Sequence, residues 1–465
     1  MTEIKSAALE LGTERIRKLL VQYAVPAIIA MTASSLYNMV DSIFIGHGVG
    51  PLAISGLALT FPLMNLAAAF GSLVGVGAAT LISMRLGQRD YETAQRVLGN
   101  VLVLNLIIGI AFGLVALLFL DPILYFFGAS EATIGYAREY MTVILLGNVV
   151  THMYLGLNSV LRASGHPRKS MYATIYTVVI NAALDPLFIY GFGWGIRGAA
   201  VATILAQVIA LVWQFHILSD KSELLHFRPG IYRLRRKIVR DILAIGMSPF
   251  LMNLAACFIV ILINKGLKEY GGDLMIGAYG IVNRLAFFFV MIVLGVNQGM
   301  QPIAGYNFGA KQYDRVMRVL KLTMIGATCV TTAGFLLGEF MPRLAVGMFT
   351  SDEELIRLAV EGMRIVFFCF PIIGFQMVAT NFFMSIGMAG KAIFLSLSRQ
   401  LLFLMPGLIF LPHIFDVCTE WNGSWGVWCS MPLSDFLASL VAFFMLTYQL
   451  RKFRAIGAEN AAKEG

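Results

Sequence analysis

Long apolar runs separated by short polar segments make up almost the whole of this 465-residue chain. The runs reach or exceed about 20 residues, the length at which an α-helix crosses a hydrocarbon core of about 30 Å. The pattern therefore predicts an all-α polytopic membrane protein with twelve transmembrane helices. The predicted spans are approximately 17–45, 52–84, 96–120, 134–161, 168–190, 197–218, 239–268, 274–308, 315–341, 354–386, 392–412 and 430–450.

Composition shows that the apolar excess belongs to the whole chain and not to a single anchor. Hydrophobic residues make up 58% and charged residues 13% of the sequence, and the mean hydropathy is +0.78. The charged fraction is half of the roughly 25% that is usual in a soluble domain. The first apolar run is too long for a signal peptide, so we expect it to remain in the mature protein.

Basic residues are concentrated in alternate loops, which predicts that both termini are cytoplasmic. The net charge of +9 arises in these short loops and does not indicate a nucleic-acid partner. The intervening loops contain little more than Arg197, Lys268 and Arg343. The basic positions are Lys5, Arg15, Arg17, Lys18, Arg85, Arg89, Arg96, Arg162, Arg168, Lys169, Lys221, Arg228, Arg233, Arg235, Arg236, Lys237, Arg240, Lys311, Arg315, Arg318, Lys321, Lys391, Arg451, Lys452 and Arg454.

The second half of the chain repeats the first at a shift of 222 residues. Residues 75–98 align with 297–320, and the same shift aligns 126–141 with 348–363. Six spans per half place both halves in the same orientation, which predicts two six-helix bundles related by a parallel pseudo-two-fold axis along the membrane normal. We assign 1–218 to an N-terminal lobe, 219–238 to a cytoplasmic basic linker, 239–450 to a C-terminal lobe and 451–465 to a cytoplasmic tail.

Two aspartates lie inside apolar runs of the first half. Asp41 and Asp185 are each about six residues from the outer end of their helices, or ~9 Å at 1.5 Å per residue. Thr203 lies at the same level, and Asn181 and Tyr37 lie one turn away, each at i−4 from one carboxylate. A carboxylate in hydrocarbon costs roughly 2.5–3.5 kcal/mol even on lenient scales. One hypothesis is a coupled pair that holds one proton or one small cation; the alternative is that each aspartate only caps a helix end.

The second half lacks acids at the corresponding positions, which are Ile263 or Asn264 and Gly407 or Leu408. It contains the intramembrane arginines Arg284 and Arg399 instead. Either they pair with backbone carbonyls in a helix break, or they shape the field of a central cavity.

Other motifs exclude some functions and leave others open. The sequence contains no nucleotide-binding glycine loop, nucleophile elbow or zinc spacing, so neither an enzyme nor an ATP-driven pump is indicated. Pro26 should kink the first helix, either as static packing or as a hinge. Cys418 and Cys429 fall in one predicted outer loop, and a disulfide and a free pair are equally compatible with their spacing.

Several motifs in one order resemble the multidrug and toxic compound extrusion (MATE) family, and specifically its MepA-like bacterial branch. They are "ASSLYNMVDSIFIG", "GAATLISMRLGQ", "LRASGHPRKSM", "NAALDPLFIYGFGWGIRGAAVAT", "QPIAGYNFGAK" and "SRQLLFLMPGLIFLP", and the resemblance covers roughly residues 15–450. It implies a transporter of the bacterial cytoplasmic membrane that exports drugs against an inward flow of H⁺ or Na⁺ by alternating access. It implies no cofactor beyond the coupling ion.

The resemblance also implies roles for individual residues. It places a cation site, for H⁺ or for Na⁺ held at Asp41 and Asp185, in the N-terminal lobe, and it places a substrate cavity beside that site. NorM-type relatives use acids in the C-terminal lobe, which this sequence lacks. Together with the arginines identified above, the predicted site residues are Asp41, Asn181, Asp185 and Thr203 for the cation and Tyr37, Tyr140, Asn158, Asn181, Arg284 and Arg399 for the cavity.

The sequence thus predicts a cation-coupled antiporter that acts on amphipathic, often cationic drugs in the lipid bilayer and functions as a monomer. A flippase for lipid-linked precursors or polysaccharides would share the architecture. A ligand-gated pore is the alternative from a different class, although no pore loop is visible.

Overall fold

The computed structural model describes residues 9–49, 51–418 and 422–464, without the side chains of 36–40, 42, 43, 46, 47, 51, 54, 55, 58, 273, 418 and 457–464. The regular elements of the described residues are helices. In the first half they are α1 (Glu10–Thr13), α2 (Ile16–Gly48), α3 (Pro51–Gly87), α4 (Tyr91–Leu118), α5 (Leu120–Phe126), α6 (Ile134–Leu146), α7 (Asn148–Ala163), α8 (Pro167–Pro186), a π-helical segment (Leu187–Gly191) and α9 (Gly195–Leu218). In the second half they are α10 (Arg236–Gly309), α11 (Tyr313–Phe340), α12 (Pro342–Gly347), α13 (Glu353–Phe368), α14 (Phe370–Ser385), α15 (Ala389–Leu397), a second π-helical segment (Ser398–Leu404), α16 (Met405–Cys418) and α17 (Gly423–Glu464).

These helices confirm the predicted all-α membrane fold. Ten segments of the described residues are each long and apolar enough to cross a membrane, and two bent pairs bring the number to twelve. The bent pairs are α6 with α7, at 56°, and α13 with α14, at 51°. Pro371 explains the second bend, because proline lacks the N–H that a continuing helix needs and suits the first turn of a new one. Gly272, with φ 72°, separates the two spans within α10.

The first compact unit contains Ile29–Phe250 together with the described residues up to Glu14. In it α3 packs against α4, α6 and α7, and α9 packs against α7 and α8. An apolar core around Leu57, Leu63 and Ile144 lies between α3, α6 and α9. Gly246, near the start of α10, meets the backbone of Leu73 in α3 so closely that a Cβ would overlap it.

The second unit contains Arg15–Ile28 and the residues from Leu251 onwards. Its core is aromatic, with Phe367 and Phe370 stacked at 4.3 Å between ring centroids and Phe289 edge-on to both. Gly299 on α10 approaches Ala24 of α2 in the same manner as Gly246 approaches Leu73, since a Cβ there would lie 2.6 Å from the Ala24 backbone.

The division between the units therefore falls inside two helices, after Ile28 in α2 and after Phe250 in α10. The first helix of each half begins in the unit formed mainly by the other half. The predicted linker 219–238 lies wholly within the first unit. The lobe boundaries at 218 and 239 describe the order of spans along the chain and stay a prediction.

The linker is attached to the first unit and is not a free loop. Its buried side chains Leu225, Ile231 and Ile238 alternate with an exposed basic surface. Asn100 of α4 donates to the Ile231 and Arg233 carbonyls at 3.3 and 3.2 Å and accepts from the Arg235 N–H at 3.1 Å. Satisfied backbone groups of this kind hold a segment without secondary structure in one place.

Candidate acid centre

Three helices of the first unit bring together the residues predicted to bind a cation. Asp41 lies on α2, Asn181 and Asp185 on α8, and Thr203 on α9. All four are buried, with relative exposures of 5, 1, 0 and 7% respectively. Asp41 and Asp185 are close enough to interact electrostatically. We call this group the acid centre.

Asn181 connects Asp185 on α8 to Thr203 on α9 within the acid centre. With its amide nitrogen facing Asp185, it donates to Oδ2 at 2.9 Å, and its amide oxygen accepts from the Thr203 N–H at 3.0 Å. The Thr203 hydroxyl donates to the Ala199 carbonyl at 3.0 Å, one turn back in α9. The amide thus uses a donor for the carboxylate and an acceptor for the neighbouring helix, which fixes the orientation of Asp185.

Asp41 contributes an open position. Its Oδ1 is buried and has no hydrogen-bond partner among the described residues. A buried polar atom without a partner costs free energy that a proton or a bound cation would recover. The centre can therefore take up one positive charge between two carboxylates, which could not both remain charged and unpaired in a dry site.

Helix irregularity accompanies the acid centre. Pro186 follows Asp185 directly, and the next five residues are π-helical. Single π-helical turns inside helices often mark functional sites. Because the π segment changes the register of the helix beyond Asp185, it also changes which side chains face α2 and α9.

The predicted cavity residues are less uniform. The Tyr37 side chain lies outside the described part. Tyr140 is fully buried in the apolar core of the first unit. Asn158 is buried in α7 and donates to the Thr174 hydroxyl of α8 at 3.1 Å, while its Oδ1 has no partner among the described residues.

The two arginines of the second half occupy different environments. Arg284 is exposed on α10. Arg399 lies on the second π-helical segment, and its Nε donates to Oδ1 of the buried Asp435 at 2.5 Å. The contact of Arg399 is thus with a carboxylate, a partner that neither sequence hypothesis named. A cavity role for either arginine stays a prediction.

Asp435 is the buried acid that the sequence reasoning missed. At the shift of 222 residues it aligns with Trp213, so the repeat gave no indication of it. Asp435 could have been found by the criterion that identified Asp41, because it is an aspartate within an apolar run, 430–450.

The remaining predicted features are placed as follows. Pro26 is buried inside the continuous helix α2, three residues before the helix passes into the first unit. Cys429 has a free thiol, and the Cys418 side chain lies outside the described part. The described residues contain no group of three or more His, Cys, Asp or Glu side chains arranged to hold a metal ion.

Comparison with known proteins agrees with this architecture. The sequence model of the MatE family matches residues 26–187 and 247–409, one match in each half. The chain is 28% identical over 438 residues to the multidrug export protein MepA of Staphylococcus aureus strain NCTC 8325, covering 93% of this chain and 94% of that protein. It is 26% identical over 434 residues to MepA of Staphylococcus haemolyticus strain JCSC1435, with the same coverage.

Solved structures show the same fold. A MATE protein in the bent conformation superposes with a TM-score of 0.90 at 24% identity, covering 97% of this chain and 99% of that one. An outward-facing multidrug resistance MATE family transporter of the MOP superfamily gives a TM-score of 0.88, also at 24% identity, over 96% of this chain and 99% of that one. The chain therefore belongs to the MatE family and is a multi-pass membrane transporter, not an enzyme.

Proposed function

We propose that the protein exports amphipathic, often cationic drugs from a bacterial cytoplasm in exchange for H⁺ or Na⁺ that binds at the acid centre. The MepA relatives are multidrug export proteins, which supports the substrate class. The basic loops predict that both termini are cytoplasmic, and the bacterial MepA relatives support a location in the cell membrane. We expect one chain to be sufficient for transport.

The observation that carries the ion-coupling proposal is the open oxygen of Asp41 beside a second buried carboxylate. A structural cap would direct its oxygens to backbone N–H groups, as Asp90 and Asp352 do at the starts of α4 and α13. Asp41 Oδ1 has no such donor among the described residues. An unsatisfied buried oxygen is a suitable ligand for a proton or a cation that enters and leaves.

The mechanism follows from the charge of the centre. When one cation is bound, the repulsion between Asp41 and Asp185 is relieved and helices α2, α8 and α9 can pack closely. When the cation leaves, the centre carries net negative charge and favours either a cationic drug or the alternative conformation. Transport requires that the cation and the drug differ in their affinity for the two conformations, because only such a difference can shift the equilibrium between them.

Asn181 and Pro26 have supporting roles in this proposal. Asn181 holds the Asp185 carboxylate toward α9, so the two carboxyl groups keep their separation when the charge changes. Pro26 interrupts the hydrogen bonding of α2 about four turns before Asp41. A helix weakened there can bend when the charge at Asp41 changes.

The test measures dye movement in proteoliposomes. A fluorescent cationic dye is loaded, a pH gradient or a Na⁺ gradient is imposed, and wild type is compared with Asp41→Asn and Asp185→Asn. We expect the effective gradient to identify the ion and both substitutions to abolish gradient-driven movement, since an amide carries no exchangeable charge. Asp121→Asn is the matched control, because Asp121 is an exposed acid of the same unit paired with Arg138 at 2.7 Å.

Other outcomes are equally informative. Equal gradient-driven dye movement in wild type and Asp41→Asn would show that Asp41 is not needed for coupling, and helix capping would be the better account of this residue. Dye flux that persists in wild type without any counter-gradient would indicate a pore. Absence of dye movement in every variant would direct attention to the flippase alternative and to lipid-linked substrates.

A further inference from the structure

The second unit contains a partly buried ion pair that the proposed function does not use. The side chain of Asp435 on α17 is 3% exposed, and that of Arg399 on the second π-helical segment is 32% exposed. The guanidinium Nε donates to the carboxylate Oδ1 at 2.5 Å. Asp435 is thus covered by protein, while part of the guanidinium remains accessible.

Several irregular backbone segments meet at this pair. Arg399 is the second residue of the π-helical segment Ser398–Leu404, and Asp435 follows Pro432 of α17 by three residues. The bend between α13 and α14 brings the Cys369 thiol close enough to interact electrostatically with Asp435. Tyr279 of α10 interacts in the same way with Arg399. The pair therefore lies near residues of four segments.

The π-helical geometry has a direct consequence for Arg399. A π turn accommodates an extra residue and rotates the following side chains relative to a regular helix. The register that results places the guanidinium against Asp435. Ser439, one turn after Asp435, donates to the Asp435 carbonyl at 2.7 Å and approaches the Ile372 carbonyl of α14 at 3.4 Å, which fixes α17 at this level.

The pair differs from the acid centre in one respect that matters for ion exchange. At the acid centre, Asp41 Oδ1 is open and can accept a cation from outside. At Asp435, the corresponding position is filled by a cation that is covalently part of the chain. Because the guanidinium is attached to the chain through the arginine side chain, this cation cannot leave the site.

We propose that Arg399 is a built-in cation: its guanidinium occupies a cation site beside Asp435, closes that site to exchange, and leaves a site for a free monovalent cation when it is removed. The second unit would then contain a cation site of its own that takes no part in coupling. This inference goes beyond the proposed function and does not depend on it, because the test below measures binding without transport.

Chemical rescue tests the proposal in the purified full-length protein in detergent. Thermal unfolding of wild type, Arg399→Ala, Asp435→Asn and the double variant is followed by tryptophan fluorescence. Each is measured with millimolar guanidinium chloride, with urea at the same concentration and with sodium chloride at the same ionic strength. Urea has nearly the shape of guanidinium but no charge, so it separates filling of the space from binding of a cation.

We expect Arg399→Ala to lower the unfolding midpoint, because it leaves Asp435 buried without its partner. Guanidinium should recover most of that loss, and urea should recover little. The double variant should unfold at a higher temperature than Arg399→Ala and should not respond to guanidinium. Recovery by sodium as well would show that the uncovered site accepts small cations generally.

Arg343→Ala is the matched control. Arg343 pairs with Glu353 at 2.6 Å in the same unit, but both side chains are more than two-thirds exposed, at 72 and 74%. Guanidinium should therefore not stabilise this variant relative to wild type. Equal effects of guanidinium and urea on Arg399→Ala, or equal midpoints for Arg399→Ala and the double variant, would overturn the proposal.

If Arg399→Ala does not fold, the double variant and Asp435→Asn can still be compared. The double variant should then still be recovered as folded protein, because it contains no unpaired carboxylate. Recovery of Asp435→Asn but not of the double variant would show that Arg399 stabilises the fold through packing and not as the cation of Asp435, and the proposal would be wrong.

Discussion

Asn181 shows how a single amide can organise a charged site. Its nitrogen and oxygen face different partners, Asp185 within α8 and Thr203 on α9. A hydrogen bond to a charged group contributes about 1.5–3 kcal/mol, against about 0.5–1.5 kcal/mol between neutral groups. The Asp185 contact should therefore be the more important of the two.

We expect Asn181→Leu to strengthen proton binding at Asp185 by about tenfold or more, because the Asn181 N–H stabilises the charged carboxylate and each 1.4 kcal/mol corresponds to a factor of ten. The measurement is the concentration of H⁺ or Na⁺ that half-saturates dye transport. Thr203→Val, which removes only the hydroxyl and keeps the backbone N–H contact, serves as the milder comparison. Equal shifts in the two variants would show that packing of α8 on α9, and not the orientation of Asp185, is what Asn181 provides.

His166 lies outside the membrane-spanning segments, directly before α8, and it connects the start of α8 to the linker. Its Nε2 is 2.9 Å from Glu223 Oε1, and Lys169 Nζ is 3.1 Å from the same oxygen. Burial lowers the pKa of His166 below 6.5, and Lys169 lowers it further, while Glu223 opposes the shift. At neutral pH the contact is therefore a hydrogen bond from a neutral imidazole, and Lys169 supplies the positive charge.

This lowered pKa has a defined effect on stability. The unfolded chain takes up a proton near pH 6.5, before folded His166 does, so the contribution of His166 is complete above that value. It is lost as the pH falls from there through the lower folded pKa. We expect His166→Gln, which keeps a donor but does not titrate, to show a shallower fall in unfolding midpoint below about pH 6.5. Parallel pH profiles for the two proteins would contradict this assignment.

The acid centre was predictable from the sequence because charge is rare in hydrocarbon. Asp41 and Asp185 were conspicuous in apolar runs, and helical spacing placed Asn181 beside Asp185. The hydrogen bond between Asn181 and Thr203 joins different helices and could not be read from spacing. Asp435 was missed for the opposite reason: the repeat directed the search to positions aligned with Asp41 and Asp185. Arg399 and Asp435 themselves align with Thr177 and Trp213, which cannot form an ion pair.

At the scale of the helices, apolar length predicted the spans, but their irregularities depend on packing. The two π-helical segments and the bend at Gly147 are places where the regular i→i−4 hydrogen bonding of a helix is interrupted. Contacts with neighbouring helices decide where such interruptions fall. The points at which α2 and α10 pass from one unit to the other could not be predicted from the local sequence either. Pro26 and Pro249 precede the two crossing points and align at a shift of 223 residues, a correspondence that becomes meaningful only with the contacts known.

Glycine contacts hold these crossing helices in place, and Gly246 gives a direct test. A Cβ at Gly246 would overlap the Leu73 backbone, whereas a Cβ at Gly280 of the same helix meets nothing within 4 Å. We expect Gly246→Ala to destabilise the protein by about 1–3 kcal/mol, the usual cost of overpacking. Gly280→Ala should be neutral or stabilising by up to about 1 kcal/mol, because alanine favours the helix. Unfolding midpoints in detergent distinguish the two, and equal midpoints would show that α3 and α10 can separate without cost.

At the scale of the whole molecule, two halves of the same topology carry different chemistry. The repeat, the twelve spans and the match of the family model to each half indicate a duplicated architecture. The first unit contains two neighbouring buried carboxylates, of which Asp41 has one oxygen without a hydrogen-bond partner among the described residues, and the second contains a carboxylate paired with an arginine. Duplication thus accounts for the spans, and we propose that a few substitutions in one copy decide where an ion can exchange.

The direction of transport depends on the orientation of both copies, which the basic loops predict. Labelling with a membrane-impermeant maleimide tests this in a variant whose native cysteines are replaced. Ser222, in the basic linker, and Ser351, before α13 at the opposite end of the spans, are both exposed, so a cysteine at either position is chemically accessible. On intact cells we expect Ser351→Cys to be labelled and Ser222→Cys to react only after permeabilisation. The reverse pattern would place the termini outside. Asp41 and Asp185 would then lie nearer the cytoplasmic surface, opposite to the orientation on which the proposed function is built.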